Sequence, residues 1–280
     1  MISLILTILF STSIALILKH NAVKIGNPVV LLTSNYFVAA LISLLFFCVD
    51  NDASWSISSL WFGAILAGTF VLAFFSFAKA IDVANTALAS VSARLSVIVP
   101  VAFSIMIFQE KPKPAQLAGF VFAVITILMF YFSLKQFAVV KLKPSRYGYL
   151  IAVLLGIGIN DFCMKIFQVW RDDTEKPFFL LTIFSFSFLY TAAYLIIKKI
   201  NIKKSTVIWG AILGVPNIFS SFFLISALGS LPAIIVYPMI NIGIILLTAF
   251  LASLIWADKL NLPARLALFF GIVAIILLSG

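Results

Sequence analysis

Apolar runs of about twenty residues recur along the whole of this sequence. A run of that length, wound as an α-helix, crosses the roughly 30 Å hydrocarbon core of a bilayer. Within lipid a chain must satisfy its own backbone hydrogen bonds, which a helix does and an open sheet does not. The alternating pattern of a membrane β-barrel is not found in the sequence. The sequence therefore predicts an all-α polytopic membrane protein.

The composition agrees with a membrane protein and disfavours the soluble classes. Hydrophobic residues make up 64% of the chain and charged residues 10%, with a mean hydropathy of +1.21. Soluble domains carry about 25% charged residues. The formal net charge is +10, but Lys and Arg lie mostly between the apolar runs. Basic residues in such positions set membrane orientation, so they do not indicate a nucleic acid as partner.

Ten apolar segments are predicted to be transmembrane helices. They cover residues 2–18, 29–49, 58–79, 86–108, 115–134, 148–169, 178–197, 206–228, 231–255 and 263–279. Prolines lie at or near several predicted helix starts, where a missing N–H costs nothing; they are Pro28, Pro177, Pro232 and Pro263. A connection at residues 135–147 separates a first five-helix domain, residues 1–134, from a second, residues 148–280.

The two predicted domains resemble each other. The matching positions are 147 or 148 residues apart and are Ala80-Ile81 with Ala227-Leu228, and Glu110-Lys111 with Asp258-Lys259. Lys19 and Lys165 each close the first helix of a domain. Because each copy has an odd number of helices, the second copy is inverted in the membrane. Inverted repeats are typical of secondary transporters, which bind substrate near the membrane midplane.

Ionisable residues inside membrane helices are costly, so each is a candidate functional residue. Arg94 lies near the middle of the fourth segment and has Ser90 and Ala87 on its helix face. A guanidinium can bind a carboxylate or a phosphate in bidentate geometry, which makes Arg94 a candidate anion-binding residue. The alternative is a structural ion pair with an acid on another helix.

Asp161 lies near the centre of the sixth segment, and Gly158, Lys165 and Gln168 share its helix face. A polar stripe on an apolar helix is expected to face the bundle interior or a water-filled cavity. Asp161 is thus a candidate for substrate binding or proton coupling. The alternatives are an i,i+4 ion pair with Lys165 and a partnership with Arg94 that has no role in transport. Lys165 is expected to extend toward the membrane interface.

Polar residues on later segments complete the candidate set. Tyr237 and Asn241 share a face of the ninth segment beside Pro238, which can kink that helix. Asn217 follows Pro216 on the eighth segment. The alternative role for such groups is hydrogen bonding between helices. The sequence contains no metal-binding cluster, phosphate loop or nucleophile constellation, so we expect neither an enzyme nor a cofactor.

The sequence resembles the drug/metabolite transporter superfamily, and within it the EamA-like permeases. The resemblance rests on the ten segments in two repeats and on an Ala-Leu-like pair, a proline and an acid near each repeat end. These are Ala80-Ile81, Pro100 and Glu110 in the first repeat, and Ala227-Leu228, Pro238 and Asp258 in the second. The alternative to a functional role for the two acids, Glu110 and Asp258, is that each is simply a solvated residue at a helix end. The resemblance implies that segments 1, 3, 4, 6, 8 and 9 line a cavity, which favours Arg94, Asp161, Asn217, Tyr237 and Asn241 over Asn35.

Two departures limit what the resemblance implies. The small multidrug resistance branch has a membrane glutamate where this chain has Ser11, and Ile157 in the second repeat, so its proton–drug exchange is not implied. Family members usually have cytoplasmic termini. Here thirteen Lys and Arg lie in the loops opposite the termini and four in the loops on the side of the termini. The positive-inside rule therefore favours the reverse orientation, and both orientations stay open.

We expect a secondary transporter that moves a small, amino-acid-like metabolite across a bacterial inner membrane. Its partners are the substrate, the lipid bilayer and, as a candidate, a coupling proton that binds Asp161. Arg94 is expected to hold a carboxylate. One alternative is a drug or organic-cation exporter that uses Asp161, and another is a non-transporting membrane scaffold or assembly subunit. The sequence is compatible with a monomer and with a homodimer.

Overall fold

The computed structural model describes residues 1–21, 26–84, 86–135, 147–256 and 261–280. Within these ranges it contains eleven α-helices, a short 3-10 turn at Asp173–Glu175 and no strand. The helices are α1 (Ile2–Asn21), α2 (Pro28–Val49), α3 (Ile57–Ala84), α4 (Thr86–Leu95), α5 (Ile98–Ile107), α6 (Pro114–Lys135), α7 (Tyr147–Trp170), α8 (Lys176–Ile197), α9 (Lys204–Ser230), α10 (Ala233–Trp256) and α11 (Leu262–Ser279). The prediction of an all-α membrane fold is confirmed.

The helices correspond to the ten predicted segments. Among the described residues, nine spans are long and apolar enough to cross a bilayer, and a shorter apolar helix covers Ile2–Leu18. Helices α4 and α5 together form one of the nine spans, Leu88–Ile107. Most of the predicted connection at residues 135–147 lies outside the described ranges.

Local sequence explains where several helices begin. The side chain of Asn27 caps α2 by accepting a hydrogen bond from the N–H of Val29 at 2.9 Å. Asn261 caps α11 in the same way, accepting from the N–H of Ala264 at 3.0 Å. As predicted, prolines occupy the first or second helical position, which needs no N–H donor; they are Pro28, Pro177 and Pro263.

The chain divides into two compact units, and each unit contains parts of both predicted domains. The first unit consists of Met1–Val71 and Ile166–Gly229, and the second of Leu72–Lys165 and Ser230–Gly280. Helices α3 and α7 each contribute to both units. The five-helix repeats remain a prediction from the sequence.

In the first unit α9 packs directly on the backbone of α2. Gly210 and Gly214 lie one turn apart on α9. A Cβ atom would lie 2.2 Å from the carbonyl oxygen of Leu31 at the first glycine and 2.7 Å from that of Asn35 at the second. This is the G-x-x-x-G arrangement that lets membrane helices approach closely.

A buried polar cluster in the first unit joins the start of α3 to the connection between α7 and α8. Glu175 accepts hydrogen bonds from the hydroxyl groups of Ser56 (2.6 Å) and Ser59 and from the guanidinium of Arg171. Arg171 also donates to Ser56 Oγ at 2.7 Å. Both carboxylate oxygens therefore have partners, as a buried charge requires.

In the second unit α6 packs along α11, and α10 contacts α5, α6 and α11. Ala80, Ala89 and Val153 form a buried cluster that joins α3, α4 and α7. Two of these three side chains are single methyl groups, so the helices lie close together there. This packing places α4 beside α7, the two helices that carry the predicted charged residues.

Candidate functional site

The fourth predicted segment is interrupted within its membrane span. Helices α4 and α5 are separated at residues 96–97. Pro100 has no N–H that could bond the carbonyl group of Ser96, and that carbonyl accepts instead from the N–H of Val99 at 2.9 Å. Arg94 therefore lies in the last turn of α4, directly before the interruption, and not in the middle of a continuous helix.

Arg94 reaches helix α10. Its Nη1 donates to Asn241 Oδ1 at 3.3 Å, and its side chain is half-buried. At the C-terminal turn of α4 the positive charge meets the negative end of the helix dipole. Asn241 donates from Nδ2 to the carbonyl oxygen of Tyr237 at 3.1 Å. Because an amide has one donor end and one acceptor end, this bond turns the amide oxygen toward Arg94.

A glycine allows α7 to approach the interruption. A Cβ atom at Gly158 would lie 2.5 Å from Val99 Cβ and 2.8 Å from the carbonyl oxygen of Ser96, so a larger residue requires displacement of the backbone. Asp161 follows one turn later on the same helix.

A hydrogen bond connects α7 to α10. The hydroxyl of Tyr237 donates to the backbone carbonyl of Asp161. Tyr237 is buried and lies one turn before Asn241, so one face of α10 contacts both charged residues. Four of the five predicted site residues, Arg94, Asp161, Tyr237 and Asn241, therefore form one connected set within the second unit.

The fifth predicted residue lies in the first unit. Asn217, on α9, donates from Nδ2 to Asn35 Oδ1 on α2 at 2.9 Å. This is the interhelical hydrogen bond considered as the alternative role for such groups. The family resemblance favoured Asn217 over Asn35 as a residue that lines the cavity, whereas in the structure the two side chains are hydrogen-bonded to each other.

Two further charged residues lie next to the connected set. Lys165 is buried, and its Nζ lies 3.5 Å from Glu110 Oε1 in the connection between α5 and α6. Glu110 also accepts hydrogen bonds from the backbone N–H groups of Ala233 (2.9 Å) and Ile234 (3.2 Å). Glu110 thus caps α10 and is not a solvated helix end. Its predicted repeat partner, Asp258, lies outside the described residues.

The capping role of Glu110 was missed from the sequence, although a signal was present. The residues before α10 are Leu231 and Pro232, and neither has a side chain that can cap a helix. A helix start without a cap of its own predicts an acceptor from elsewhere in the chain. The sequence does not say which acid supplies it.

The connected set offers two chemical functions on separate helices. Arg94 supplies N–H donors and a positive charge for a carboxylate or phosphate group. Asp161 supplies a carboxylate that can accept hydrogen bonds from an ammonium group or take up a proton. Both side chains are half-buried.

Comparison with known proteins concerns the fold and the family of the chain. A protein of Haemophilus influenzae described as uncharacterized is 28% identical over 215 residues, which cover 76% of this chain and 72% of that protein. A crystal structure superposes with a TM-score of 0.79 over 99% of this chain and 94% of that chain, at 15% identity, which shows a shared fold. Residues 1–132 match the model of the EamA-like transporter family. This match confirms the resemblance to EamA-like permeases and identifies the chain as an integral membrane protein related to small-molecule transporters.

Proposed function

We propose that this protein is a secondary transporter that carries a small amino-acid-like metabolite across a bacterial inner membrane by alternating access. Arg94 binds the carboxylate of the substrate. Asp161 binds its ammonium group or a coupling proton. Tyr237 and Asn241 hold these two groups in position through the contacts described above.

The contact between Arg94 and Asn241 carries the proposal. These residues are 147 positions apart, which is the offset between Ala80 and Ala227 in the predicted repeats. Equivalent positions touch each other only close to the symmetry axis that relates the two copies. For inverted repeats that axis lies in the membrane plane. The contact therefore supports a site near the middle of the bilayer, where secondary transporters bind substrate.

The interruption after Arg94 supports the same site. Transporter sites commonly lie where a membrane helix is discontinuous, because helix ends and freed backbone groups can then face the substrate. The two short helices α4 and α5 meet at residues 96–97, within the membrane span. A joint at that depth allows one half of the span to move while the other half stays in place.

The charge balance favours a zwitterion over an organic cation. Arg94 and Asp161 are side chains of opposite charge type that are linked through Asn241 and Tyr237, and a charge that loses contact with water without gaining a partner is destabilising. A zwitterion offers a carboxylate to Arg94 and an ammonium group to Asp161, so both charges have a partner of opposite charge in the bound state. A cation bound to Asp161 would leave Arg94 with a neutral partner, Asn241, and no counter-charge from the substrate.

The test is transport by the purified protein in proteoliposomes. Metabolites that raise the thermal unfolding temperature are selected first and then measured for gradient-driven uptake and for exchange. We expect the wild type to transport a zwitterion and Arg94→Ala to lose both activities. Asp161→Asn should lose gradient-driven uptake and keep exchange, because exchange needs no coupling proton. The matched control is Asp82→Asn, which changes an acid with a 69% exposed side chain and should behave as wild type.

Three results would contradict parts of the proposal. Equal gradient-driven uptake by the wild type and Asp161→Asn would exclude proton coupling through Asp161. Export of organic cations by Arg94→Ala at the wild-type rate would favour the cation exporter. A metabolite library that gives neither a thermal shift nor transport would favour a non-transporting membrane scaffold.

A further inference from the structure

The helices that carry Asp161 and Tyr237 are tied together a second time, one turn further along. Lys165 lies one turn after Asp161 on α7, and Ala233 lies one turn before Tyr237 on α10. Glu110 joins these two points, since it pairs with Lys165 and accepts hydrogen bonds from the first two N–H groups of α10. The side chains of Lys165 and Glu110 are only 9% and 12% exposed, so this link is internal to the second unit.

The start of α10 depends on an acceptor from another part of the chain. The first N–H groups of any helix have no partner inside it. The carbonyl oxygen of Pro232 accepts from the N–H groups of Ile235 and Val236, but the side chains of Leu231 and Pro232 offer no acceptor to those of Ala233 and Ile234. A carboxylate satisfies these donors and meets the positive end of the helix dipole. Glu110 follows Gln109, whose left-handed backbone (φ 53°) turns the chain after α5. The connection between α5 and α6 thus places the carboxylate of Glu110 at the start of α10.

We infer that Glu110 is a positioning residue for the substrate site, an inference that rests on the proposed function. Its bonds to the first turn of α10, together with the ion pair to Lys165, fix the register of α10 against α7. That register decides whether the polar residues of α10 meet Asp161 and Arg94. Without Glu110 the groups that touch the substrate are all still present, but α10 no longer holds them in place.

The first measurement does not require transport. Hydrogen exchange of the first-turn amides of α10 is followed by mass spectrometry in the purified full-length protein. In Glu110→Ala we expect the peptide with Ala233 and Ile234 to exchange at least about tenfold faster, because a charged acceptor is lost. Lys165→Met leaves Glu110 in place and should change this exchange much less. Lys111→Met changes an exposed charge in the same connection and serves as the control.

The second measurement separates substrate affinity from turnover. With the substrate found for the wild type, we expect Glu110→Gln to raise KM at least about fivefold and to leave the maximal rate within about twofold. Glutamine has nearly the size of glutamate, so this variant removes the charge with little change in packing. A purely structural defect would instead lower the amount of active protein and hence the maximal rate.

A charge swap separates capping from ion pairing. Glu110→Lys combined with Lys165→Glu restores two opposite charges. It also places a cation that has no acceptor at the positive end of α10. We therefore expect the double variant to recover neither the slow exchange nor the low KM.

The outcomes distinguish the inference from the proposed function. Recovery by the charge swap would overturn the inference, because the ion pair alone would then explain the effect. An unchanged KM in Glu110→Gln, together with faster exchange of the first-turn amides of α10 in Glu110→Ala, would also overturn it. Glu110 would then hold the helix without positioning the site. If the wild type transports nothing, the proposed function fails and the role in positioning a substrate site falls with it. The exchange data would then show separately whether Glu110 holds α10.

Discussion

Asn241 contacts the guanidinium of Arg94 with a neutral oxygen, at 3.3 Å. A neutral acceptor orients Arg94 and leaves its charge available to a substrate carboxylate, whereas a carboxylate at position 241 would form a stronger, charged pair. We therefore expect Asn241→Asp to raise KM for the substrate on the order of tenfold, and more than Asn241→Ala does. Uptake kinetics measure the KM values of the two variants.

The control is Asn201→Asp in the exposed connection between α8 and α9, which should keep the wild-type KM. A lower KM for Asn241→Asp than for Asn241→Ala would contradict the argument.

At the residue scale the sequence identifies the charges but not their partners. Arg94 and Asp161 could be identified as candidate site residues because an ionisable side chain in an apolar helix is energetically costly and is therefore a functional candidate. Their neutral partners on α10 are ordinary polar residues, and only the packing of α4, α7 and α10 brings them together. Lys165 shows the same limit. Its spacing suggested a local pair with Asp161, whereas the structure pairs it with Glu110 from another connection.

At the scale of elements, α7 reaches the interruption between α4 and α5 because residue 158 has no side chain. An added Cβ would lie 2.5 Å from Val99 Cβ and 2.8 Å from the carbonyl oxygen of Ser96. Overpacking of this kind costs about 1–3 kcal/mol, so Gly158→Ala should lower the thermal unfolding temperature in detergent and weaken transport. Gly148 on the same helix has nothing within 4 Å of an added Cβ, so Gly148→Ala should unfold at or slightly above the wild-type temperature. Equal unfolding temperatures for the two variants would show that the packing at Gly158 is not tight.

The carboxylate of Glu175 holds the connection between α7 and α8 to the start of α3. The side chain of Glu175 is 7% exposed, and that of its partner Arg171 is 30% exposed. Glu175→Gln removes the charge and one of the two acceptor oxygens shared by the guanidinium and the two serine hydroxyls. Because Arg171 is partly solvated, we expect Glu175→Gln to lower the free energy of unfolding by about 1–3 kcal/mol, less than a fully buried pair would lose. Denaturation in detergent micelles measures this loss.

An exposed ion pair provides the contrast to Glu175. Lys79 and Asp82 lie 4.0 Å apart with side chains 54% and 69% exposed. Exposed pairs contribute about 0–1 kcal/mol, so Asp82→Asn should change the free energy of unfolding by much less than Glu175→Gln. Similar losses for the two variants would mean that the cluster around Glu175 does not stabilise the fold.

Most helices could be predicted from the sequence, but their interruption and their contacts could not. Segment length and the prolines at helix starts gave the spans, because both follow from the bilayer and from backbone chemistry. Pro100 was visible in the sequence, yet α9 and α10 continue through Pro216 and Pro238. A proline alone therefore does not say where a helix breaks. The spacing of Gly210 and Gly214 is a visible signal for close packing, but it does not name α2 as the partner.

At the scale of the whole molecule, contacts within each unit agree with ten membrane crossings. Ser54 Oγ and Thr174 Oγ1 lie 2.8 Å apart, and two connections that touch lie on the same side of the membrane. An even number of crossings must therefore separate them. The helices between them are α3, α4, α5, α6 and α7, so α4 and α5 must count as one crossing. In the second unit Lys113 Nζ donates to the carbonyl oxygen of Gly280 at 2.8 Å. Six helices, α6 to α11, lie between these two residues in the chain, and six is again an even number of crossings.

With ten crossings each predicted repeat has five, so we expect the second repeat to be inverted relative to the first. Asp52, between α2 and α3, and Asn201, between α8 and α9, occupy equivalent connections and are both exposed. Inverted repeats place these two residues on opposite sides of the membrane. In a protein without Cys48 and Cys163, we expect a membrane-impermeant maleimide to label only one of Asp52→Cys and Asn201→Cys in intact cells. Both variants should be labelled after permeabilisation.

The labelled position also decides the orientation. Basic residues concentrate in the connection that contains Asn201, and basic loops stay in the cytoplasm. Labelling of Asp52→Cys alone would therefore follow from the charge distribution, whereas labelling of Asn201→Cys alone would match cytoplasmic termini. Both results agree with inverted repeats. Labelling of both positions in intact cells, or of neither, would place the two connections on the same side. It would then remove the symmetry axis on which the mid-membrane position of Arg94 and Asn241 depends.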